Sequence, residues 1–135
     1  MALQRVALGL QHETAELLKR HGLSAPQFNI LRILRGAVGE GRDGLAAAQI
    51  GARLLAYAPD LTRLLDRMVL QGLVLRERQD GDRRVVTTSI TEKGLSLLAA
   101  IDAPMAALHQ KQLGHLGPER LSALLLLLGA AQQGI

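Results

Sequence analysis

The sequence predicts a mainly α-helical chain with one small β-hairpin wing, a winged helix-turn-helix domain flanked by N- and C-terminal helices. Three observations carry that prediction. Asp60-Leu-Thr-Arg-Leu-Leu-Asp-Arg-Met68 has helical spacing and stops sharply at Gly72. Two runs, residues 73–78 with alternating apolar and charged side chains and residues 83–90 rich in β-branched ones, bracket the turn Gln79-Asp-Gly-Asp82. Thr91-Glu-Lys-Gly94 then opens a new helix, with Thr91 as cap and Glu92 in the first turn.

Taken in order, apolar positions Leu3, Val6, Leu10, Ala15 (or Thr14), Leu17 and Leu18 recur at roughly helical spacing to about Arg20. Gly9 weakens that pattern and Gly22 closes it. Ser24-Ala-Pro-Gln27 reads as a capping box, with Pro26 in the first turn, where its missing N–H does no harm. Phe28, Leu31 and Leu34 form the buried stripe of this second helix. Glycines 36, 39, 41 and 44 predict a flexible loop without a phosphate-binding fingerprint. Residues 46–55 form a short helical run with Ile50 and Leu54 inward. A few residues around Ala56-Tyr-Ala58 separate it from the helix that Pro59 opens, whose apolar side is Leu61, Leu64, Leu65 and Met68.

After Thr91, Leu95, Leu98, Ile101 (or Asp102 beside it), Met105 and Leu108 carry a long helix to about Leu116, with a kink expected at Pro104. Gly117-Pro-Glu119 starts the last helix and Gly134 closes it. Its leucines Leu121, Leu124, Leu125, Leu127 and Leu128 exceed one stripe. Burial on more than one side is therefore expected, for which a subunit interface is the usual reason.

The bulk numbers narrow the function. A chain of 135 residues with 48% apolar content suggests one domain with a real core. The net charge of +4 mildly favours a polyanionic partner. Thirteen of the sixteen cations are Arg, whose planar fork suits phosphates and guanine edges, although a GC-rich coding bias produces the same excess. The absence of cysteine excludes disulfides, thiolate metal sites and thiol-based peroxide sensing. The first residues lack a signal-peptide pattern, and the apolar run near residues 121–131 falls short of the roughly 18–20 residues that span a bilayer. The expectation is a cytoplasmic protein without a membrane partner. With Phe28 and Tyr57 as the only aromatic residues, base stacking on single strands or RNA loops is disfavoured. No Ser-His-Asp, Cys-His or paired-carboxylate arrangement stands out, so neither an enzyme nor a cofactor is expected. His12, His21, His109 and His115 include no pair at i, i+4, and no metal site is expected.

The helix pair followed by an arginine-bearing hairpin reads as a surface for double-stranded DNA. A helix fits the major groove, and its N-terminal residues meet the base edges. Those residues are Pro59, Asp60, Thr62 and Arg63, with Arg67 one turn on. Arg63 suits guanine O6/N7 or a phosphate, and Thr62 a phosphate or a thymine methyl. Asp60 either accepts from cytosine N4 or stabilises the helix N-terminus. At the hairpin tip, Arg83 and Arg84 suit the narrow minor groove, and Asp82 can hold a neighbouring arginine in place. Six Arg against five acids between Asp60 and Arg84 make this region only weakly basic, so non-specific affinity should be modest and strongly salt-dependent.

At this point the residues resemble a family. Leu61-Thr-Arg-Leu-Leu-Asp-Arg-Met68, Gly72-Leu-Val74, Asp82-Arg-Arg84 and Thr91-Glu-Lys-Gly94 are similar to the MarR (multiple antibiotic resistance regulator) family, as is Leu23-Ser-Ala-Pro-Gln-Phe28. The Asp-Arg-Arg wing followed by Thr-Glu-Lys-Gly is the most specific part. The resemblance departs at Ala46-Ala-Ala-Gln-Ile-Gly-Ala-Arg53, where Gln49 stands for the family's acid and Gly51 for an alanine.

The resemblance implies an obligate homodimer built by residues 1–22 and 92–135, around a winged-helix region of about residues 23–91. It implies a transcriptional repressor on a pseudo-palindromic operator, released by a small anionic or phenolic ligand. It makes the helix from Pro59 the recognition helix, Arg84 and Arg83 the wing arginines, and Asp82 their partner. It also implies a ligand pocket between the dimer helices and the winged domain, for which His12, Glu16, Phe28 and Leu31 are candidate lining residues. Two alternatives stay open. One is a zinc-responsive regulator of the same fold, with His12-Glu13 and His109/His115 approaching in a dimer. The other is a winged-helix protein-interaction module without specific DNA binding.

Overall fold

The computed structural model describes residues 1–54, 60–79 and 82–135, with the backbone alone for Gln79 and residues 82–84. The expected linker Ala56-Tyr-Ala58, Pro59 and the turn residues Asp80-Gly81 lie outside the described residues. The order of elements is α1 (Ala2–Arg20), α2 (Ala25–Gly39), β1 (Leu45–Ala46), α3 (Ala47–Arg53), α4 (Leu61–Leu70), β2 (Val74–Gln79), β3 (Asp82–Ile90), α5 (Glu92–Leu113), a single 3₁₀ turn (Gly114–Leu116) and α6 (Gly117–Gln132).

Local chemistry sets the boundaries. At the start of α2, the Gln27 N–H donates to Ser24 Oγ at 3.3 Å and the Ser24 N–H donates to Gln27 Oε1 at 3.1 Å. That reciprocal pair satisfies two donors the helix start would otherwise leave open. Both α1 and α4 end on a left-handed glycine, Gly22 and Gly72, each at φ +75°. Behind Gly72, the Leu73 N–H reaches back to Met68 O at 3.0 Å, closing the helix and aiming the chain into the wing.

The sheet is antiparallel in the order β1-β3-β2. Register runs from Val74 opposite Ile90 to Gln79 opposite Asp82, with an irregularity between Arg78 and Gln79. The core lies where α1, α2, α4 and α5 meet the sheet base: Leu18, Ile30, Leu31, Ile50, Leu65, Met68, Val74, Leu98 and Ile101 are all wholly buried. Of the alternatives at 101 and 102, Ile101 faces the core, while Asp102 accepts a 2.9 Å ion pair from Arg35 of α2.

Helix α1 runs unbroken through Gly9, as its spacing predicts. The structure differs from the sequence reading in three places. The expected glycine loop begins later than Gly36, because α2 continues to Gly39; the buried methyl of Ala37 anchors that extra turn to the core. Strand β1 was not anticipated, since two residues are too few to display a period. The long helix runs through Pro104 as one element but ends at Leu113, leaving residues 114–116 as a 3₁₀ turn.

Two segments find no cover among the described residues. Helix α6 has no buried residue, and Leu125, Leu126 and Leu127 are 74%, 76% and 68% exposed. The first half of α1 likewise presents Leu3, Val6 and Leu8 to solvent.

Candidate nucleic-acid interface and adjoining cavity

Helix α4 divides cleanly into two faces. Leu65 and Met68 are buried, with Leu61 and Leu64 packed against the same core. Thr62, Arg63, Asp66, Arg67 and Leu70 are exposed. Their spacings of three and four residues put them on one outward face. Arg63 and Arg67 make no ion pair among the described residues, so both guanidinium groups stand available on that face. Asp60 is exposed at the N-cap of α4, and its side chain makes no capping hydrogen bond there.

The wing stands beside this helix and is held at two levels. Midway along β2, Arg76 Nη1 donates to Asp66 Oδ1 of α4 at 2.7 Å. At the wing root, Thr91 Oγ1 donates to Gly72 O at 2.7 Å and accepts from the Gly94 N–H at 3.1 Å. Lys93 Nζ donates to Gln71 O at 2.7 Å, and Gln27 Nε2 donates to Gln71 Oε1 at 2.9 Å. Gly94 is required by space: a Cβ there would lie 2.6 Å from Leu73 O and 2.7 Å from Ile90 Cγ1. The Thr91–Gly94 segment therefore acts as a clasp joining the end of α4, both strands of the wing and the start of α5.

On the opposite side of α2, a cavity of about 550 Å³ opens between α1, α2 and α5. Its walls are apolar, from Leu10, Leu18, Phe28 and Met105, and its polar lining includes Asn29, Arg32 and His109. The Arg32 guanidinium lies over the Phe28 ring, 5.6 Å from its centroid.

Comparison with known proteins places this arrangement. Residues 21–85 match the family model described as MarR family. The chain is 40% identical to a MarR transcription factor from Planctomyces limnophilus of known crystal structure, covering 95% of this chain and 90% of that one with a TM-score of 0.72. The chain belongs to the MarR family. This is a family of winged helix-turn-helix transcriptional regulators, which are not enzymes. It is also similar to the HTH-type transcriptional regulator TtmR of Methylorubrum extorquens, at 36% identity over 64% of this chain. The match spans 42% of TtmR's length. A third similar protein is the transcriptional repressor CouR, solved bound to a 23-mer DNA duplex, at 26% identity and a TM-score of 0.82, covering 97% of this chain and 89% of CouR.

In this MarR-family chain, α3 and α4 are the helix pair and β2-β3 the wing. Of the residues expected at DNA, Thr62, Arg63 and Arg67 stand together on the outward face of α4, with Asp60 at its N-terminal end. The backbone of Asp82, Arg83 and Arg84 begins β3 at the distal end of the wing, while their side chains and Pro59 lie outside the described residues. Of the residues expected at a ligand, Phe28 lines the cavity. Leu31 is wholly buried in the core behind it. His12 and Glu16 are exposed on α1, whose cavity-lining residues are Leu10, Gln11, Thr14, Ala15 and Leu18. Spacing explains this: positions 11, 14, 15 and 18 share one helical face, and 12 and 16 fall beside it.

Sequence reasoning did not single out Asp66, Arg76, Arg32 or Asn29. Asp66 and Arg76 sit ten residues apart on different elements, and no local period links them. Gln49, a departure from the family pattern, still caps α3, because its Oε1 accepts the Ala46 N–H at 2.9 Å. Among the described residues, no group of three or more His, Asp or Glu side chains comes together to hold a metal ion, and no helix is long and apolar enough to cross a membrane.

Proposed function

We propose that this chain acts in the cytoplasm as a homodimeric repressor that binds a pseudo-palindromic operator in double-stranded DNA and is released by a small anionic or phenolic molecule. The carrying observation is the outward face of α4, where Thr62, Arg63 and Arg67 stand beside a wing tied to the same helix through Asp66 and Arg76. Such a pairing presents one element to the major groove and a second to the adjacent minor groove. The likeness to a repressor solved on duplex DNA supports this reading.

The dimer reading rests on unmatched apolar surface. The exposed leucines of α6 and of the first half of α1 lie on the segments assigned to dimerisation, residues 1–22 and 92–135. A twofold axis then sets the two recognition helices about one helical turn of DNA apart, roughly 34 Å. The effector reading rests on the cavity, whose volume of about 550 Å³ and apolar walls with a few polar groups suit a small organic molecule. Because α1 and α2 both line it, an occupant contacts the dimer arm and the winged domain together.

The decisive experiment is fluorescence-anisotropy binding to DNA from upstream of the protein's own gene, with a scrambled duplex as competitor. Tight, salt-sensitive binding that the scrambled duplex cannot displace is expected. Equal weak binding to both duplexes, with no site recovered in a genome-wide selection, favours an interaction module instead.

A further inference from the structure

Gln27 is the third residue of α2 and, with Thr88, one of two buried polar side chains among the described residues. Its amide has two tasks. Oε1 accepts the Ser24 N–H at 3.1 Å and completes the capping box, while Nε2 donates across to Gln71 Oε1 at 2.9 Å. Capping alone does not call for an amide. A glutamate at that position caps as well and gains from the helix dipole, but an ionised carboxylate brings no donor. The N–H aimed at Gln71 is what glutamine adds. Gln71 in turn is the C-cap of α4. Its N–H donates to Arg67 O at 3.0 Å, and its carbonyl accepts from Lys93 Nζ at 2.7 Å. The C-terminal end of α4 is thus joined by side chains to the first turns of both α2 and α5.

We propose that Gln27 is a positioning residue for operator recognition, which through Gln71 holds α4 at the angle that presents Thr62, Arg63 and Arg67 to the bases. The proposal deepens the operator reading above and rests on it. Geometry makes the angle matter. Arg63 and Gln71 lie near opposite ends of α4, about 12 Å apart along its axis at about 1.5 Å per residue. A tilt of about 5° over that length displaces Arg63 by about 1 Å, beyond the roughly 0.5 Å within which a directed contact survives. Leu65 and Met68 anchor the middle of α4 by apolar burial, which is non-directional and resists such a tilt poorly. A hydrogen bond between two amides is directional and resists it. The Asp66–Arg76 pair ties α4 to the wing, whereas the Gln27–Gln71 pair ties it to α2, whose Ile30 and Leu31 are wholly buried. The restraint therefore runs back to the core.

The test is a cycle in the full chain: Gln27→Glu, Gln71→Glu and the two together. Each single change leaves one amide facing one carboxylate, and that amide still donates, so bond and cap both persist. The double change sets two carboxylates face to face with no donor between them at neutral pH, while the Ser24 N–H keeps its acceptor. Lys93, the cation beside the pair, is retained throughout. In anisotropy titrations with the duplex from upstream of the gene, each single variant should bind within about twofold of the parent and the double variant about tenfold more weakly. Lowering the pH from about 7.5 to about 5 should close the gap between double variant and parent, because the facing carboxylates then share a proton and one donates again. Circular-dichroism melts check that each variant is folded at the assay temperature. A merely structural pair would lower the melting temperature and leave the affinity of the folded protein and its pH profile unmoved. Amide hydrogen exchange without DNA gives a second reading: the Gln71 and Gly72 amides of the double variant should exchange about tenfold faster than the parent's. A double variant that binds like the parent, a gap that pH leaves unchanged, or single variants as weak as the double overturns the proposal. Unchanged exchange overturns the restraint on α4. A parent that binds no duplex overturns the operator reading, and the recognition role with it, while exchange still decides the restraint; the two failures are thereby distinguishable.

Discussion

Arg76 of strand β2 reaches Asp66 of helix α4 at 2.7 Å, so the wing and the exposed face of α4 are tied through side chains as well as through the chain. The pair is unequal. The Arg76 side chain is 22% exposed and that of Asp66 is 62% exposed. Removing the carboxylate therefore leaves a mostly buried guanidinium without its partner, a larger loss than an ordinary surface pair represents.

Asp66→Ala should lower stability by about 1 kcal/mol and weaken operator binding by roughly tenfold, because the wing loses its fixed position beside α4. Thermal melts and anisotropy titrations read the two effects separately. Glu77→Ala, on the neighbouring exposed position of β2, is the control and should change stability little. Operator affinity unaltered in Asp66→Ala would remove the positioning role.

Gly94→Ala should destabilise the fold by about 1–3 kcal/mol, since its Cβ would press on Leu73 O and Ile90 Cγ1 at the wing root. Gly9→Ala should act in the opposite sense. That site is a helix interior with nothing within 4 Å of an added Cβ, and alanine there should stabilise by about 0.5–1 kcal/mol. Melting temperatures of the two variants should fall on either side of the parent's.

Arg63→Ala should weaken binding by about 1–3 kcal/mol if the guanidinium reads a guanine, with relaxed preference at one base position. If it contacts only a phosphate, the loss should be uniform across sequences and the salt dependence should fall by about one counterion. Arg84→Ala should behave similarly for the wing and reduce affinity most for operators with narrow, A·T-rich flanks. Salt titrations on operator variants distinguish these outcomes, and the double variant should bind no more tightly than a non-specific protein.

Leu125→Glu together with Leu126→Glu should convert the proposed dimer to monomer while leaving the winged region folded, because both side chains are exposed in the single chain and contribute nothing to its core. Sedimentation equilibrium gives the mass. Operator affinity should collapse with the dimer, since each half-site alone supplies only part of the contacts.

Much of the fold was legible because its signals are local. The Ser24–Gln27 capping box, the Gly22 and Gly72 stops and the Thr91 cap each lie within a few residues and satisfy specific backbone donors or acceptors. The division of α4 into a buried side and an outward side bearing Thr62, Arg63 and Arg67 also follows from period alone. The candidate cavity was less legible. His12 and Glu16 have the polar side chains expected at a ligand, but the helical face carrying Gln11, Thr14 and Leu18 is the one that lines the cavity.

The sequence by itself therefore determined the order of the helices and the wing, the starts of α2 and α5, the ends of α1 and α4, and the outward face of α4, since each depends on interactions spanning one or two turns. Only the tertiary structure decided that Asp66 meets Arg76, that Gln27 meets Gln71, that α2 continues through Gly36, and that Arg32 and Arg53 share a recess. Those outcomes join residues from separate elements or depend on what the core will bury. Packing settles them, because the free energy of a long-range contact depends on how whole helices come together and on no property of either residue alone.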